Sequence, residues 1–399
     1  MTPFDLTPDA ARVALSGVVA PDLDGESVLD ACARAVWSFV TEPGDGVAGS
    51  LIDTHGATDA LRRVLTDAPR HQRVAGEYGI ALRRWAPRLD APAFETALRV
   101  AERRGVRLVT RADPMWPAQL DDLGVHVPIA LWARGRLDVL SRLQPSVALV
   151  GARAATSYGD HVARELAADL AGGGIPIISG AAYGIDGSAH QAALSVGGTT
   201  VAVLAGGVER AYPAGHTEMI ERIAREGVIV GEQPCGSTPT KWRFLQRNRI
   251  IAALSEATVV VEAGWRSGSL NTAGHAASLS RALGAVPGPV TSAASAGCHR
   301  LLREYGAQCI TSAADVRELV GIGGGPATLF DDDPGRAPTD DAMRVRDALS
   351  TRAWRPVADL ARRSGMSADS VESHLGLLLL QGEAARDTRG WRLVTSRRG

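Results

Sequence analysis

The stretch Val147-Ala148-Leu149-Val150-Gly151-Ala152-Arg153 decides the fold of this chain. Its first four residues are apolar and include two valines, a composition that favours a strand buried on both faces of a sheet. Gly151 allows a tight turn out of that strand, and a helical pattern follows at residues 159–171. A buried strand that passes through a short turn into a helix is the first half of a β–α–β unit.

The same unit repeats to about residue 320. Further apolar runs occur at residues 175–178, 200–204, 228–230, 258–261 and 285–286. Helical patterns separate them, at residues 186–195, 216–226, 244–254, 270–281 and 297–305. Continuous apolar strands with helical crossovers predict an α/β fold, a Rossmann-like, doubly wound and mostly parallel sheet. Ligands bind to such sheets at the carboxyl ends of the strands.

Two segments are predicted before the sheet domain, which spans residues 146–320. Residues 1–90 form a small helical module, with helices at 7–16, 27–39 and 57–65. Residues 91–145 form a connecting segment that packs on the sheet domain and contains a helix at 92–105 and a short buried strand at 128–132.

Two more segments are predicted after it, a glycine- and proline-rich linker at 321–339 and a terminal domain at 340–399. In the terminal domain, helical patterns at 341–350, 356–364 and 368–381 precede two short polar strands at 383–387 and 390–394. That is the order of a winged helix-turn-helix, with Ser367 as the N-cap of the recognition helix. Lys and Arg exceed Asp and Glu there by only 11 to 8, so both DNA and protein contacts stay open.

The composition of the 399 residues narrows the functional classes. The formal net charge of −1 gives no overall attraction to nucleic acid, so a polyanion site must be a local patch. The N-terminus has neither a basic region nor an apolar segment, and no run of 18 apolar residues occurs. We therefore expect a cytoplasmic protein without a membrane span. The scattered cysteines and histidines predict neither a disulfide framework nor a metal site.

A basic stretch interleaved with aromatic residues lies at 241–249, Lys-Trp-Arg-Phe-Leu-Gln-Arg-Asn-Arg. No Asp or Glu occurs between Gln233 and Ser255. Because Arg and Lys bind phosphates while Trp and Phe receive stacked bases, the stretch suits a polyanion that carries bases. The alternative is a solvated helix start in which Trp242 and Phe244 are core residues; Phe244 would then be an anchor that orients the arginines.

Two further loops can bind anions. The loop after residues 147–150 offers backbone amides near Gly151, the charge of Arg153 and the hydroxyl of Ser157 at a helix start. The loop at 262–272 offers Arg266 and the amides and hydroxyls of Ser267-Gly268-Ser269, which can form an anion-binding nest. The alternative for the first loop is a structural turn with an exposed arginine, and Ser-Gly-Ser alone is a common sequence.

Several cofactor and catalytic motifs are missing. The G-x-G-x-x-G dinucleotide pattern does not occur, and Lys241, the only lysine, is followed by Trp242, which excludes a Walker A motif. Ser179, Asp186 and His190 could form a hydrolytic set. The simpler interpretation is that Asp186 stabilises a helix start and His190 is packed. No cofactor is predicted.

The residues named so far resemble the DNA-processing protein A family (DprA, also called Smf). The resemblance rests on matches, in order and with matching spacing, at residues 150–153, 179–190, 197–204, 212–213, 244–252, 267–270 and 287–288. It covers the whole sheet domain. The flanks fit as well, since the N-terminal module resembles a sterile-alpha-motif-like domain and many family members carry a C-terminal winged helix.

The resemblance implies a non-enzymatic protein that binds single-stranded DNA, usually as a homodimer, protects incoming strands during natural transformation and helps to load the recombinase RecA. It implies that Arg153 contacts DNA phosphates and that Lys241, Arg247 and Arg249 lie in or beside the family's Arg-Asn-Arg segment. Many relatives carry a lysine where this chain has Tyr183. Tyr183 could stack on a base instead, or that contact could be lost.

Together these arguments predict a groove for single-stranded DNA at the carboxyl edge of the sheet. The predicted DNA-binding residues are Gly151, Arg153, Ser157, Lys241, Trp242, Arg243, Phe244, Arg247, Asn248, Arg249, Arg266, Ser267, Gly268 and Ser269. One alternative is a nucleotide phosphoribohydrolase, although the glycine-rich loop P-G-G-x-G-T-x-x-E of those enzymes is missing. Another, compatible with DNA binding, is a scaffold that recruits a recombinase.

Overall fold

The computed structural model describes residues 4–322 and 341–394. The chain divides into two compact units, Met1–Gly323 and Gly324–Gly399. All but the first two residues of the predicted linker at 321–339 lie outside the described residues.

A single sheet forms the centre of the first unit. Its strands are β1 (Arg107–Val109), β2 (Leu131–Gly135), β3 (Val147–Gly151), β4 (Ile177–Ser179), β5 (Thr200–Leu204), β6 (Val228–Gly231), β7 (Ala257–Glu262), β8 (Ala282–Ala285) and β9 (Gln308–Cys309). They lie in the order β1-β2-β6-β5-β4-β3-β7-β8-β9. The strands from β3 to β9 pair in parallel, and β1 and β2 add an antiparallel edge next to β6. The predicted α/β fold with a mostly parallel sheet is confirmed.

Helices precede the sheet and connect its strands. Those before β1 are α1 (Pro8–Ala14), α2 (Gly25–Val40), α3 (Gly46–His55), α4 (Ala57–Asp67), α5 (Gly76–Trp85) and α6 (Ala91–Arg103). Those after β3 are α7 (Ser157–Gly172), α8 (Ile185–Ser195), α9 (Thr217–Glu226), α10 (Lys241–Leu254), α11 (Ser269–Ser278), α12 (Ala296–Glu304) and α13 (Ala313–Leu319). Short 3₁₀ turns occupy Ala68–Arg73, Ala86–Arg88, Ala118–His126, Leu137–Arg142, Ala214–His216 and Ala293–Ser295.

Alternate residues of β3 point into two different cores, as the period of two along a strand requires. Val147 and Leu149 pack with α7, α8 and α13, whereas Ala148 and Val150 pack with α10 and α11. Both faces of the strand are therefore covered, which explains its uninterrupted apolar sequence.

The N-terminal helices share a third core with the sheet. Trp37 and Trp85 meet edge to face with ring centroids 5.3 Å apart. The same cluster of buried residues includes Leu204 of β5 and Ile229 of β6. The helical module is therefore packed onto the sheet within the first unit.

The strand order places a switch point between β3 and β7. From β3 the chain moves outward in one direction through β4, β5 and β6, and then returns to add β7 on the other side of β3. The loops that leave β3 and β7 consequently diverge and open a cleft at the carboxyl edge of the sheet.

The second unit contains α14 (Asp341–Ala348), α15 (Val357–Ser364) and α16 (Ala368–Leu380), followed by a hairpin of β10 (Ala384–Asp387) and β11 (Gly390–Leu393). Its own core includes Val345, Leu360, Leu375 and Trp391. The hydroxyl of Ser367 accepts a hydrogen bond from the Ser370 amide at the start of α16. Three helices and a hairpin occur in the predicted order.

In the described part of the chain, no helix combines the length and the apolar composition needed to cross a bilayer. Within the same residues, no three His, Cys, Asp or Glu side chains come together as a metal site would require.

Candidate nucleic-acid interface

A cleft of about 520 Å³ lies at the switch point between β3 and β7. Four segments line it, the loop after β3, the loop from β4 into α8, one face of α10 and the loop that leads from β7 into α11. The structure brings nine of the predicted residues together there: Gly151, Arg153, Phe244, Arg247, Asn248, Arg266, Ser267, Gly268 and Ser269.

Phe244 is a half-buried anchor between two arginines. The Cζ of Arg153 lies 4.9 Å from the centre of the Phe244 ring, and the Cζ of Arg247 lies 5.8 Å from it. Tyr212 packs against the same ring, with centroids 5.6 Å apart. Cation–π contacts of this kind hold guanidinium groups in fixed positions. These contacts fit the alternative in which Phe244 is an anchor that orients the arginines better than they fit base stacking on Phe244.

Arg247 is a buried cation at the floor of the cleft. Its residue is only 6% exposed, and its Nη1 donates a hydrogen bond to the Val203 carbonyl oxygen at 3.0 Å. Its Nε is buried and has no hydrogen-bond partner among the described residues. Burial lowers the pKa of Arg247 to about 10, an effect that nearby Asp186 opposes and Arg153 reinforces. A buried, incompletely bonded cation attracts an acceptor from a ligand.

Asp186, at the start of α8, is the acidic neighbour of Arg247 and also lines the cleft. Its Oδ2 accepts a hydrogen bond from the Gly180 amide at 3.1 Å. Burial raises the pKa of the Asp186 carboxyl above its usual value, against the opposing charge of Arg247. Asp186 was not among the predicted groove residues, because it lies 61 positions from Arg247 in the chain and no local pattern brings the two together.

The structure does not support a hydrolytic set of Ser179, Asp186 and His190. Ser179 and His190 are fully buried. The Ser179 hydroxyl donates to the Leu149 carbonyl oxygen at 2.7 Å, and His190 Nδ1 lies 2.7 Å from the Thr200 hydroxyl. A nucleophile and a base must reach the substrate. These two side chains are buried and are bonded to other groups of the protein, so they cannot reach one.

Asn248 holds the loop before α11 in place. The Asn248 side-chain amide donates to Asn271 Oδ1 at 3.1 Å and to the Gly268 carbonyl oxygen at 3.4 Å. The hydroxyls of Ser267 and Ser269 lie 2.8 Å apart. The first three amides of α11 donate within this loop, from Ser269 to the Ser267 hydroxyl, from Leu270 to the Ser267 carbonyl oxygen and from Asn271 to the Gly268 carbonyl oxygen. The positive end of the helix dipole still begins here, beside the cleft.

Glu262, the last residue of β7, holds the opposite wall in place. Its carboxylate accepts hydrogen bonds from the Thr156 amide at 2.8 Å and the Thr156 hydroxyl at 2.7 Å. Thr156 is the N-cap of α7. The carboxylate is therefore occupied in joining β7 to α7.

Two predicted arginines are directed away from the cleft, which corrects the expectation that they hold phosphates. Arg249 forms a buried two-bond pair with Glu232, at 2.7 and 2.8 Å, and its side chain is 3% exposed. Arg243 forms a similar pair with Glu42, at 2.7 and 2.9 Å. Both carboxylates lie outside the acid-free stretch, and Glu42 also accepts a hydrogen bond from Arg88 at 2.8 Å. Both arginines are held by these pairs, and neither lines the cleft.

Three other predicted residues also lie outside the cleft. Lys241 is exposed at the start of α10 but lines no part of it. Trp242 borders a separate groove with Ile80 and His126. Ser157 borders a polar depression that adjoins the cleft at Arg153.

The structure adds Trp265 to the cleft. The residue is 58% exposed and lines the rim beside Arg266. A tryptophan followed directly by an arginine occurs twice in the sequence, at Trp265 and at Trp242. The structure is needed to show that Trp265 lines the cleft and that Trp242 does not.

Comparisons with known proteins agree on one family. The family model described as DNA recombination-mediator protein A matches residues 107–321. A Mycobacterium tuberculosis protein that carries the name DNA processing protein DprA is 42% identical over 394 residues, which cover 93% of this chain and 97% of the relative. The DNA processing protein DprA of Bacillus subtilis is 34% identical over 227 residues, 57% of this chain and 75% of the relative.

A solved structure supports the same grouping. The X-ray structure of DNA processing protein A from Streptococcus pneumoniae superposes with a TM-score of 0.60 at 27% sequence identity. The match covers 72% of this chain and 97% of that protein.

Proposed function

This chain belongs to the DNA recombination-mediator protein A family, and we propose that its cleft binds single-stranded DNA. The observation that carries the proposal is Arg247, a buried guanidinium with an unpartnered N–H at the cleft floor. Arg153 and Arg266 are exposed cations in the lining of the same cleft, and α11 begins there at Ser269, so the positive end of its dipole favours negative charge. Phosphates would bind at the rim, while a base or sugar acceptor would reach Arg247.

The depth of the cleft favours a single strand over a duplex. A ligand group must enter the protein to reach Arg247, because that side chain is almost completely covered. Duplex DNA keeps its bases stacked and paired inside two phosphate backbones, so entry of a base has an unstacking cost of a few kcal/mol. A single strand can turn a nucleotide inward without that cost.

Fluorescence anisotropy with labelled oligo-dT at several salt concentrations tests the proposal. We expect binding that weakens steeply with salt, because each phosphate contact releases counterions. Arg153→Ala should weaken binding to all sequences and reduce the slope of log affinity against log salt by about 0.7. Arg62→Ala, which removes an exposed cation paired with Asp59 on α4, is the matched control. Absent or salt-insensitive binding would contradict the proposal.

The proposal extends to the protein's role in the cell. We infer that the chain acts in the cytoplasm as a homodimer, protects single strands during natural transformation and delivers them to the recombinase RecA. Its support is the sequence resemblance and the family's description as a recombination mediator. Sedimentation velocity tests the dimer. RecA nucleation on strands coated with a single-strand-binding protein, with and without this chain, tests the delivery.

We also propose that the protein acts by binding and not as an enzyme. The two carboxylates beside the cleft support this, since Glu262 is held by Thr156 and Asp186 accepts a bond from the Gly180 amide. A nucleotide phosphoribohydrolase would release adenine from AMP. Incubation with AMP followed by chromatography should yield no adenine above a buffer control, and catalytic release would overturn this part of the proposal.

A further inference from the structure

An exposed tryptophan at the cleft rim is held against a fixed arginine. The Cζ of Arg300, on α12, lies 5.0 Å from the centre of the Trp265 ring. Trp265 is nevertheless 58% exposed, so Arg300 leaves much of the indole open to solvent. Single exposed apolar residues are ordinary, but an indole that is oriented by a cation and borders a basic cleft is a more specific arrangement.

Arg300 is itself restrained on several sides. Its Nε donates to Glu304 Oε2 at 2.9 Å, and its Nη2 donates to the Tyr305 hydroxyl at 2.9 Å. The Tyr305 ring also lies under the guanidinium, at 5.3 Å. Trp265 therefore packs against a support that is fixed before any ligand arrives, which lowers the entropy lost when a flat group stacks on it.

The neighbours of Trp265 suit a nucleic-acid strand. Arg266 follows it directly and lines the cleft together with Ser267, Gly268 and Ser269. A strand whose phosphate sits at this loop would carry its next base past the indole. Stacking on an aromatic ring tolerates any base, because every base has a π face.

We propose that Trp265, supported by Arg300, is a stacking site for a nucleobase of the strand segment that leaves the cleft. The site rests on the proposed function of the cleft. It extends the bound length of the strand beyond the nucleotides held by Arg153 and Arg247.

Trp265→Ala and Trp242→Ala form a matched pair for the test. Both remove an exposed tryptophan, since Trp242 is 55% exposed, but Trp242 borders a different groove. Anisotropy would be measured with an oligo-dT series from about 4 to about 20 nucleotides. We expect Trp265→Ala to weaken binding of the longer strands by about 5- to 150-fold, the loss that removal of one stacked base produces. Trp242→Ala should bind like the wild type at every length.

Intrinsic fluorescence gives a second measurement that does not depend on the alanine variant folding. DNA should quench the tryptophan emission of the wild type and of Trp242→Phe, whereas Trp265→Phe should lose that quenching and keep most of its affinity. Equal affinity of Trp265→Ala and Trp242→Ala for long strands, with Arg153→Ala still weakened, would overturn the stacking site and leave the cleft's function standing. If Arg153→Ala also binds normally, the proposed function itself fails.

Discussion

At the scale of single residues, the absence of a side chain at Gly180 creates the site of Arg247. A Cβ built on Gly180 would lie 1.5 Å from Arg247 Nη1. The backbone at Gly180, directly after β4, therefore runs so close to the guanidinium that only a hydrogen fits between them. Gly180 is buried, and its lack of a side chain leaves room for the Arg247 guanidinium.

Gly180→Ala should therefore weaken DNA binding without removing any charge. We expect the methyl group to displace the guanidinium and to reduce oligo-dT affinity by roughly tenfold, comparable to the loss of one charged hydrogen bond. Gly172→Ala is the control, because a Cβ there meets no atom within 4 Å. Wild-type affinity in Gly180→Ala, measured beside a weakened Arg247→Ala, would show that Arg247 does not act from the position seen here.

His190 makes the stability of the protein depend on pH. Thr200 donates its hydroxyl proton to the Ile177 carbonyl oxygen, so His190 Nδ1 must carry the proton that it shares with Thr200. Burial lowers the pKa of His190 from 6.5 to about 3. Between these values the unfolded chain binds a proton that the folded chain does not, so stability falls as the pH falls from 6.5 towards 3.

The expected slope from His190 approaches about 1.4 kcal/mol of unfolding free energy for each pH unit in that window. His190→Gln should reduce the slope, because glutamine can donate to Thr200 but does not titrate. Urea denaturation of both proteins at several pH values between about 7 and about 4.5 measures it. Parallel pH profiles for the two proteins would mean that His190 is not the titrating group.

At the scale of the helix, α10 distributes its three arginines among three environments. Arg247 reaches the cleft floor, Arg243 pairs with Glu42, and Arg249 pairs with Glu232. With 3.6 residues per turn, Arg243 and Arg247 lie on the same side of the helix and Arg249 lies on another. Their partners separate the first two, because Arg243 bonds to Glu42 and Arg247 bonds to the Val203 carbonyl oxygen. A basic stretch that looks uniform in sequence thus places one arginine in the cleft and pairs the other two with carboxylates.

Breaking the buried pair of Arg249 and Glu232 should destabilise the fold and spare the cleft. Arg249→Met leaves a buried carboxylate without its partner, which costs about 3–5 kcal/mol. Chemical denaturation measures the loss. Arg62→Met, which breaks the exposed pair with Asp59, should cost no more than about 1 kcal/mol. The folded Arg249→Met protein should bind oligo-dT as the wild type does, and a selective loss of DNA affinity would return Arg249 to the binding site.

The sequence predicted these elements better than it predicted their contacts. Strand β3 and helix α10 follow from apolar runs and helical spacing, because those patterns are local. The partner of Arg243 lies 201 positions away in the chain, and no local pattern contains that information. Helix α3 was not predicted, since it begins with Gly46 and includes Gly49. Gly49 has a packing cause, as its Cβ would lie 2.0 Å from the Val125 carbonyl oxygen.

At the scale of the whole molecule, the charges of the second unit are placed unlike those of a typical DNA-reading winged helix. Helix α16, in the position of a recognition helix, contains no lysine or arginine. Its exposed residues include Leu377 and Leu380. The described arginines of this unit lie on α14, on α15, in the segment between them and on the hairpin, where Arg389 and Arg392 stack on Trp354 at 5.3 and 4.7 Å. Recognition helices normally present polar and basic side chains to base edges.

A chain truncated to residues 1–322 should therefore keep the DNA affinity of the full chain. Every residue that lines the cleft lies in the first unit, which has its own buried cores. Anisotropy with oligo-dT should give affinities of the truncated and the full chain that agree within about threefold. Their salt slopes should also agree, because both proteins would contact the same number of phosphates. Arg153→Ala in the truncated chain is the control and should weaken binding as it does in the full chain. A shallower salt slope after truncation would show that the hairpin arginines contact the strand.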